Sequence, residues 1–179
     1  MGGFISRILQ LFYNEKVKVL ILGLDDAGKT TILYRLLYKE VMSTTPTIGS
    51  NVGELTWNNF NLLFWDIGGQ KSLRPSWNTY YPGTHYIVFV VDSTDKNEQR
   101  IETLKDAFHE IINHEELKDC KILIYANKQD VPNCMKAADV SKHLNLTAIK
   151  NHSWKIQPCC ALTNDGLIEG INWLLAKKP

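Results

Sequence analysis

Apolar runs recur along the chain, and after several of them the apolar positions switch to a spacing of three and four. Residues 17–22 form the first run and read as a buried parallel strand. Ile32, Leu33, Leu36 and Leu37 follow at helical spacing. Two apolar strands are expected over about 52–57 and 60–66. They are joined by Asn58-Asn59, which suits a tight hairpin because asparagine tolerates positive φ. Leu62-Leu63-Phe64-Trp65 is apolar on both faces, which predicts cover on both sides. Residues 86–91 read as another buried strand, and Ile101, Leu104, Phe108, Ile111 and Ile112 mark the helix after it. Residues 122–126 are the next strand. A helix is expected near 136–144 and a strand near 154–159. Leu167, Ile168, Ile171, Leu174 and Leu175 share one face of a closing helix.

Strands that alternate with helices predict an α/β fold: an open, mostly parallel sheet with helices on both faces. The hairpin adds one antiparallel strand at the edge. The 179 residues suffice for one domain, expected over 15–179, and not for two. Apolar content of 44% and charged content of 22% are ordinary for a globular protein. A net charge of +1 gives no case for nucleic acid as a partner. Cys120, Cys134, Cys159 and Cys160 show no metal-binding spacing and read as reduced thiols in a cytoplasmic protein. The five histidines do not cluster and read as surface or ordinary core residues. No run reaches the length of a membrane span, and no signal-peptide pattern is present.

Three motifs carry the chemistry. Residues 23–30, G-L-D-D-A-G-K-T, match G-x-x-x-x-G-K-[ST] between a strand and a helix. Backbone N–H groups curled at a helix N-terminus make a concave anion site. Gly23 and Gly28 permit the turn, Lys29 is a point charge for outer phosphates, and the Thr30 hydroxyl is placed for Mg²⁺. Asp66-Ile67-Gly68-Gly69-Gln70 ends a strand. Asp66 can hold Mg²⁺ through water, and a glycine lets a backbone N–H approach the terminal phosphate. Asn127-Lys128-Gln129-Asp130 ends a later strand. The Asp130 carboxylate matches the two adjacent donors of guanine, N1–H and the N2 amino group, which adenine lacks. Asn127 can bond the base edge and neighbouring loops, and the Lys128 stem can lie under the ring. Residues 40–50, with Pro46 and Gly49, read as loop. Trp77, Tyr80 and Tyr81 suit either the core or a recognition surface.

The first residues form a separate feature. Phe4, Ile5, Ile8, Leu9 and Phe12 share one helical face, so residues 1–14 are expected to be an amphipathic helix. Residues 1–6 fit M-G-x-x-x-[ST], making Gly2 a candidate myristoylation site. A lone myristoyl chain binds membrane marginally, and the helix supplies the second signal.

Phosphate loop, Thr47, D-x-G-G-Q, N-K-Q-D and C-A-L, in this order, resemble a small GTPase with the P-loop NTPase fold. The N-terminal helix, Gly2, residues 65–70 and Arg74-Pro75 resemble the ADP-ribosylation factor (Arf) and Arf-like family over essentially the whole chain. Residues 46–51, 76–81 and 157–162 are most similar to its fifth-numbered Arf-like subgroup. The resemblance implies a GTP-binding, slowly hydrolysing switch that couples nucleotide state to membrane association and effector recruitment in vesicular traffic. It implies that Gly23, Leu24, Asp25, Asp26, Ala27, Gly28, Lys29, Thr30 and Thr31 hold nucleotide phosphates. Thr30 and Thr47 would ligate Mg²⁺ with Asp66 behind them. The Gly69 N–H would sense the γ-phosphate, and Gln70 would orient the attacking water. Asn127, Lys128 and Asp130, with Cys160 and Ala161, would hold guanine. Residues 40–50 and 67–81 would be the switches that meet exchange factor, GTPase-activating protein (GAP) and effectors. The family's inter-switch hairpin slides in register when GTP binds and displaces the N-terminal helix, and the expected address is peripheral on membranes, the Golgi above all. Two residues depart from many Arfs. Ser50 replaces an aromatic of their effector surface, and Asp26 adds a negative charge to the phosphate loop, where it either weakens nucleotide binding slightly or points to solvent.

Two other classes compete. A GTP-binding interaction module with little or no hydrolysis is disfavoured by the intact Gln70. A small-molecule kinase is disfavoured by N-K-Q-D and by the lack of a recognisable acceptor-binding lid. No arginine finger in cis is identifiable from the sequence.

Overall fold

The computed structural model describes residues 16–176. The expected helix over residues 1–14, with Gly2, lies outside them, as does Lys177-Lys178. Six strands form one sheet: β1 (Lys16–Leu22), β2 (Ser50–Trp57), β3 (Phe60–Ile67), β4 (Tyr86–Asp92), β5 (Lys121–Asn127) and β6 (Trp154–Pro158). Their order is β2-β3-β1-β4-β5-β6, and β2 is the antiparallel member. The α-helices described are α1 (Lys29–Tyr38), α2 (Glu98–Ile112), α3 (Ala137–His143) and α4 (Leu167–Leu175), with short 3-10 helices at Arg74–Tyr80, Glu115–Leu117 and Leu146–Ala148. The expected boundaries hold within two residues.

The apolar runs are continuous because the central strands are buried twice. In β1, Leu20 and Leu22 face a core with Leu104, Phe108 and Ile111 of α2. Val19 and Ile21 face the opposite core with Ile32 and Leu33 of α1 and Ile171 and Leu174 of α4. Each such side chain contributes about 1.5–3 kcal/mol by leaving water. The α4 layer comes closest at Gly170, where an added Cβ would lie 2.5 Å from the Tyr125 ring. The Tyr125 hydroxyl donates to the Leu167 carbonyl at 2.6 Å, so the ring is clamped under α4.

The hairpin turns at Asn58, whose φ is +50°, and pairs Trp57 with Phe60 and Ser50 with Ile67. Cover of β3 is uneven. Leu62 and Phe64 are fully buried, while Leu63 and Trp65 are half-buried. Trp65 is met by Tyr80, ring centroids 5.8 Å apart, and by the Lys18 ammonium 5.3 Å from its centroid. The expected cover on both sides is thus present, and on this face an aromatic and a cation supply it. Burial lowers the Lys18 pKa against the opposing pull of Glu116, and its ammonium donates to the carbonyls of Tyr80 and Pro82.

Candidate functional site

The candidate residues meet at the carboxyl ends of β1, β3, β4 and β5, where open α/β sheets bind ligands. The turn after β1 needs its glycines. A Cβ on Gly23 (φ +144°) would lie 2.3 Å from the Val90 carbonyl oxygen, and one on Gly28 (φ +92°) 2.4 Å from the Asn127 side-chain nitrogen. Gly28 caps α1, so the first helical N–H groups face the cavity. Lys29 is 6% exposed, and its ammonium donates to the Leu24 carbonyl at 2.8 Å. Burial lowers its pKa to about 8, with Asp66 and Asp25 pulling the other way. A cavity of about 320 Å³ lies beside this turn, bordered by Asp25, Asp26, Gly28, Lys29, Thr30, Thr31, residues 44–47, Gly69 and Gln70.

At its floor three oxygens converge from three segments. The hydroxyls of Thr30 and Thr47 are 2.9 Å apart. They donate to Asp66 Oδ2 at 2.6 and 3.3 Å. The other carboxylate oxygen, Oδ1, is buried with no hydrogen-bond partner among the described residues. An all-oxygen set around a buried carboxylate fits a hard divalent cation such as Mg²⁺. Asn51 donates to both Thr47 Oγ1 and Asp66 Oδ2, at 3.3 and 3.1 Å. The motif reading did not single it out, since it stands beyond the loop, on β2.

Gly68 and Gly69 are glycines for lack of room. An added Cβ on Gly69 would lie 2.5 Å from the Gly23 oxygen, and one on Gly68 2.6 Å from the Thr47 oxygen. Gly68 N–H donates to the Gly49 carbonyl at 3.0 Å, and its own carbonyl accepts from Trp77 Nε1 at 2.9 Å. Trp77 and Tyr81 are core residues, 4% and 3% exposed, and Tyr80 alone of the three aromatics is half-buried. Gln70 is exposed at the cavity mouth. Arg74 and Arg100 lie close by, but both engage Asp25 and neither borders the phosphate-side cavity. Their pairing was invisible in sequence because it joins residues 49 and 75 positions apart.

A second cavity of about 200 Å³ continues from the first, sharing Asp26, Gly28 and Thr31 with it, and is lined by Asn127, Lys128, Asp130 and residues 160–162. Asn127 is 1% exposed and fastens three loops: it donates to the Ala27 carbonyl at 2.9 Å and accepts from the Ala161 N–H at 3.0 Å. Asp130 is exposed, and the buried Cys160 thiol donates to its Oδ1 at 3.1 Å. Lys128 has φ +64°, and its ammonium donates to Asp92 at 2.7 Å and to Asp26 at 3.4 Å. Asp92, a residue the motifs do not include, is thus what stretches Lys128 across the cavity. Burial would raise the Asp92 pKa, but the Lys128 and Thr94 hydrogen bonds hold it below its usual value. The Asp26 carboxylate is exposed and also reaches Lys128.

The model of the ADP-ribosylation factor family matches residues 4–178. The chain belongs to that family. It is 52% identical over 177 residues to ADP-ribosylation factor-like protein 5A of Mus musculus, covering 99% of this chain and 98% of that one. It is 48% identical over 173 residues to ADP-ribosylation factor-like protein 5 of Dictyostelium discoideum, covering 97% and 93%. Among solved structures, the Arl6 BBS3 small GTPase from Trypanosoma brucei, with bound nucleotide analogue GppNp, superposes with a TM-score of 0.81. That match has 31% identity and covers 89% of this chain and 95% of that one. Family membership implies a GTP-binding switch with GTPase activity. No helix among the described residues is long and apolar enough to cross a membrane.

Proposed function

We propose that this chain binds guanine nucleotide with Mg²⁺ in the cleft between residues 23–31 and 127–130, hydrolyses GTP slowly, and signals from a membrane surface. The observation that carries the reading is the convergence of Thr30, Thr47 and Asp66, with one carboxylate oxygen unpartnered beside a phosphate-sized cavity. Thr30 and Thr47 would ligate Mg²⁺ with Asp66 behind them, and the cation would neutralise phosphate charge. Backbone N–H groups of residues 25–31 and Lys29 hold the phosphates. Asp130 accepts from guanine, fixed by Cys160. Lys128 lies under the ring, and Asn127 and Ala161 close the base-side wall. Gly69 N–H meets the γ-phosphate, and Gln70 orients water.

Both nearby arginines are occupied by Asp25, which supports slow intrinsic turnover. A GAP that inserts an arginine accelerates such a site by about 10³–10⁵-fold. Residues 40–50 and 67–81 meet exchange factor, GAP and effectors, and Ser50 narrows the effectors shared with Arfs that carry an aromatic there. Myristoylation at Gly2, with the apolar face that the sequence of residues 4–12 would offer, would hold the protein on membranes of vesicular traffic, the Golgi first. Cell fractionation of Gly2→Ala is expected to show release from membranes; unchanged sedimentation would remove the lipid anchor from the proposal.

Ion-exchange chromatography of nucleotide freed by denaturing the purified protein tests the cleft. Guanine nucleotide, chiefly GDP, is expected. Predominant GTP would favour a non-hydrolysing interaction module, and adenine nucleotide would overturn the role of Asp130.

A further inference from the structure

We propose that Arg74 and Asp25 form a clasp that positions Gly69-Gln70 against the phosphate loop and so favours a nucleoside triphosphate over the diphosphate. The inference rests on the guanine-nucleotide reading above and names residues that act through the backbone rather than on the nucleotide.

One guanidinium makes both contacts. Arg74 Nε donates to the Gly69 carbonyl at 2.9 Å, and its NH2 group donates to Asp25 Oδ1 at 3.2 Å. The planar fork fixes the two acceptors relative to each other, which a single ammonium cannot do. Gly69 is held where no side chain fits: an added Cβ would lie 2.5 Å from the Gly23 oxygen, the Leu24 carbonyl carbon and the Lys29 ammonium. The clasp therefore closes the segment to the limit of backbone approach. Its anchor is braced from behind. Arg100 contacts both Asp25 carboxylate oxygens at 3.4 Å and the Asp25 carbonyl at 2.5 Å, and Asp95 holds Arg100 Nε at 2.5 Å. Asp95, Arg100, Asp25 and Arg74 form a continuous chain of charge from the start of α2, across the phosphate loop, to the segment carrying Gln70. Among the described ion pairs, Arg74–Asp25 alone joins the phosphate loop to that segment.

The selectivity follows from where the segment lies. Gly69 abuts the loop beside Lys29 and borders the phosphate-side cavity; on the reading above, the outermost phosphate is the one that would meet it. A contact that holds the segment there strengthens binding of a ligand that touches it and does nothing for one that does not.

The test uses the full chain, wild type and the variants Arg74→Gln, Arg74→Lys and Asp25→Asn. The rates and affinities of fluorescent GDP and of a non-hydrolysable GTP analogue are measured separately, with single-turnover hydrolysis of GTP and a melting curve of the GDP form. Arg74→Gln is expected to weaken the analogue about tenfold, the scale of a charged hydrogen bond, and to slow hydrolysis by a similar factor. GDP affinity and the GDP-form melting temperature stay near wild type. Arg74→Lys fails to restore either property, and combining Arg74→Gln with Asp25→Asn costs less than the sum of the two. Equal weakening of both nucleotides, full function in Arg74→Lys, or strict additivity would overturn the clasp. Absence of guanine-nucleotide binding by the wild type would instead overturn the reading on which it rests.

Discussion

Lys29 is a cation almost wholly out of water, and among the described residues its ammonium donates to the Leu24 carbonyl alone. Its pKa near 8 lies below that of a lysine in the unfolded chain, so between about pH 8 and 10.5 the unfolded state binds more protons and stability rises with pH. Arriving phosphates reverse the balance by favouring the charged form. Binding above pH 8 should therefore take up a proton, and affinity should be flat below pH 8 and decline above it. Calorimetry at pH 8.5 in two buffers of different ionisation enthalpy measures the uptake directly; no uptake would mean Lys29 is already charged in the free protein. Asp26 sits nearby with its carboxylate exposed beside both cavities and, among the described residues, Lys128 as its ion-pair partner. A unit charge beside bound phosphates, in an environment close to water, costs on the order of 1 kcal/mol. Asp26→Asn should slow GDP release by roughly three- to tenfold in low salt, less for GMP, and little in 1 M salt. A change that ignored salt would assign Asp26 a steric role. The residues of the three motifs were legible because they stand at fixed local spacings just after strands, and the structure brings those strand ends together. Asn51, Asp92, Arg74 and Arg100 were not, since their partners are set by the fold and not by local sequence.

At the scale of elements, the sequence pattern located every strand and α-helix described but none of the short 3-10 helices at Arg74–Tyr80, Glu115–Leu117 and Leu146–Ala148, and capping chemistry decided the ends. Asn97 caps α2 by accepting from the Arg100 N–H at 3.1 Å, and the Asp139 carboxylate reaches back to the Lys136 N–H at 2.8 Å at the start of α3. What periodicity missed is how one face of β3 is covered, because a lysine from β1 and an aromatic from residues 74–80 do what a helix does elsewhere. Packing of α4 on the sheet depends on one missing side chain. Gly170→Ala puts a methyl group 2.5 Å from a fully buried tyrosine whose hydroxyl is bonded to the same helix. Its gain in helix propensity is at most about 1 kcal/mol, and overpacking of this kind costs about 1–3 kcal/mol. The variant should melt several degrees lower, checked by thermal denaturation with nucleotide saturating. A rise in melting temperature would show that Tyr125 and α4 can part without cost.

Across the whole molecule, the sheet divides two cores and gathers at one end the loops that carry chemistry. That arrangement follows from alternation alone, which is why the class of fold and the location of the site were readable before any coordinates. The order of strands, with β1 between β3 and β4, sets which loops become neighbours, and no local pattern contains it. The fastening of these loops is unequal. On the base side, the buried amide of Asn127 rivets residues 27 and 161 to β5 by direct bonds. On the phosphate side, residues 44–49 and 68–73 meet the body through the Thr30, Thr47 and Asp66 oxygens, one of which, Asp66 Oδ1, has no partner among the described residues, and through Arg74 and Asp25. A departing guest would leave the first wall standing as a mould for its successor and deprive the second of its mortar. On the proposed reading, the molecule would thus remember which base it holds while forgetting how many phosphates came with it, and the forgetful side is the one an exchange factor or GAP would meet.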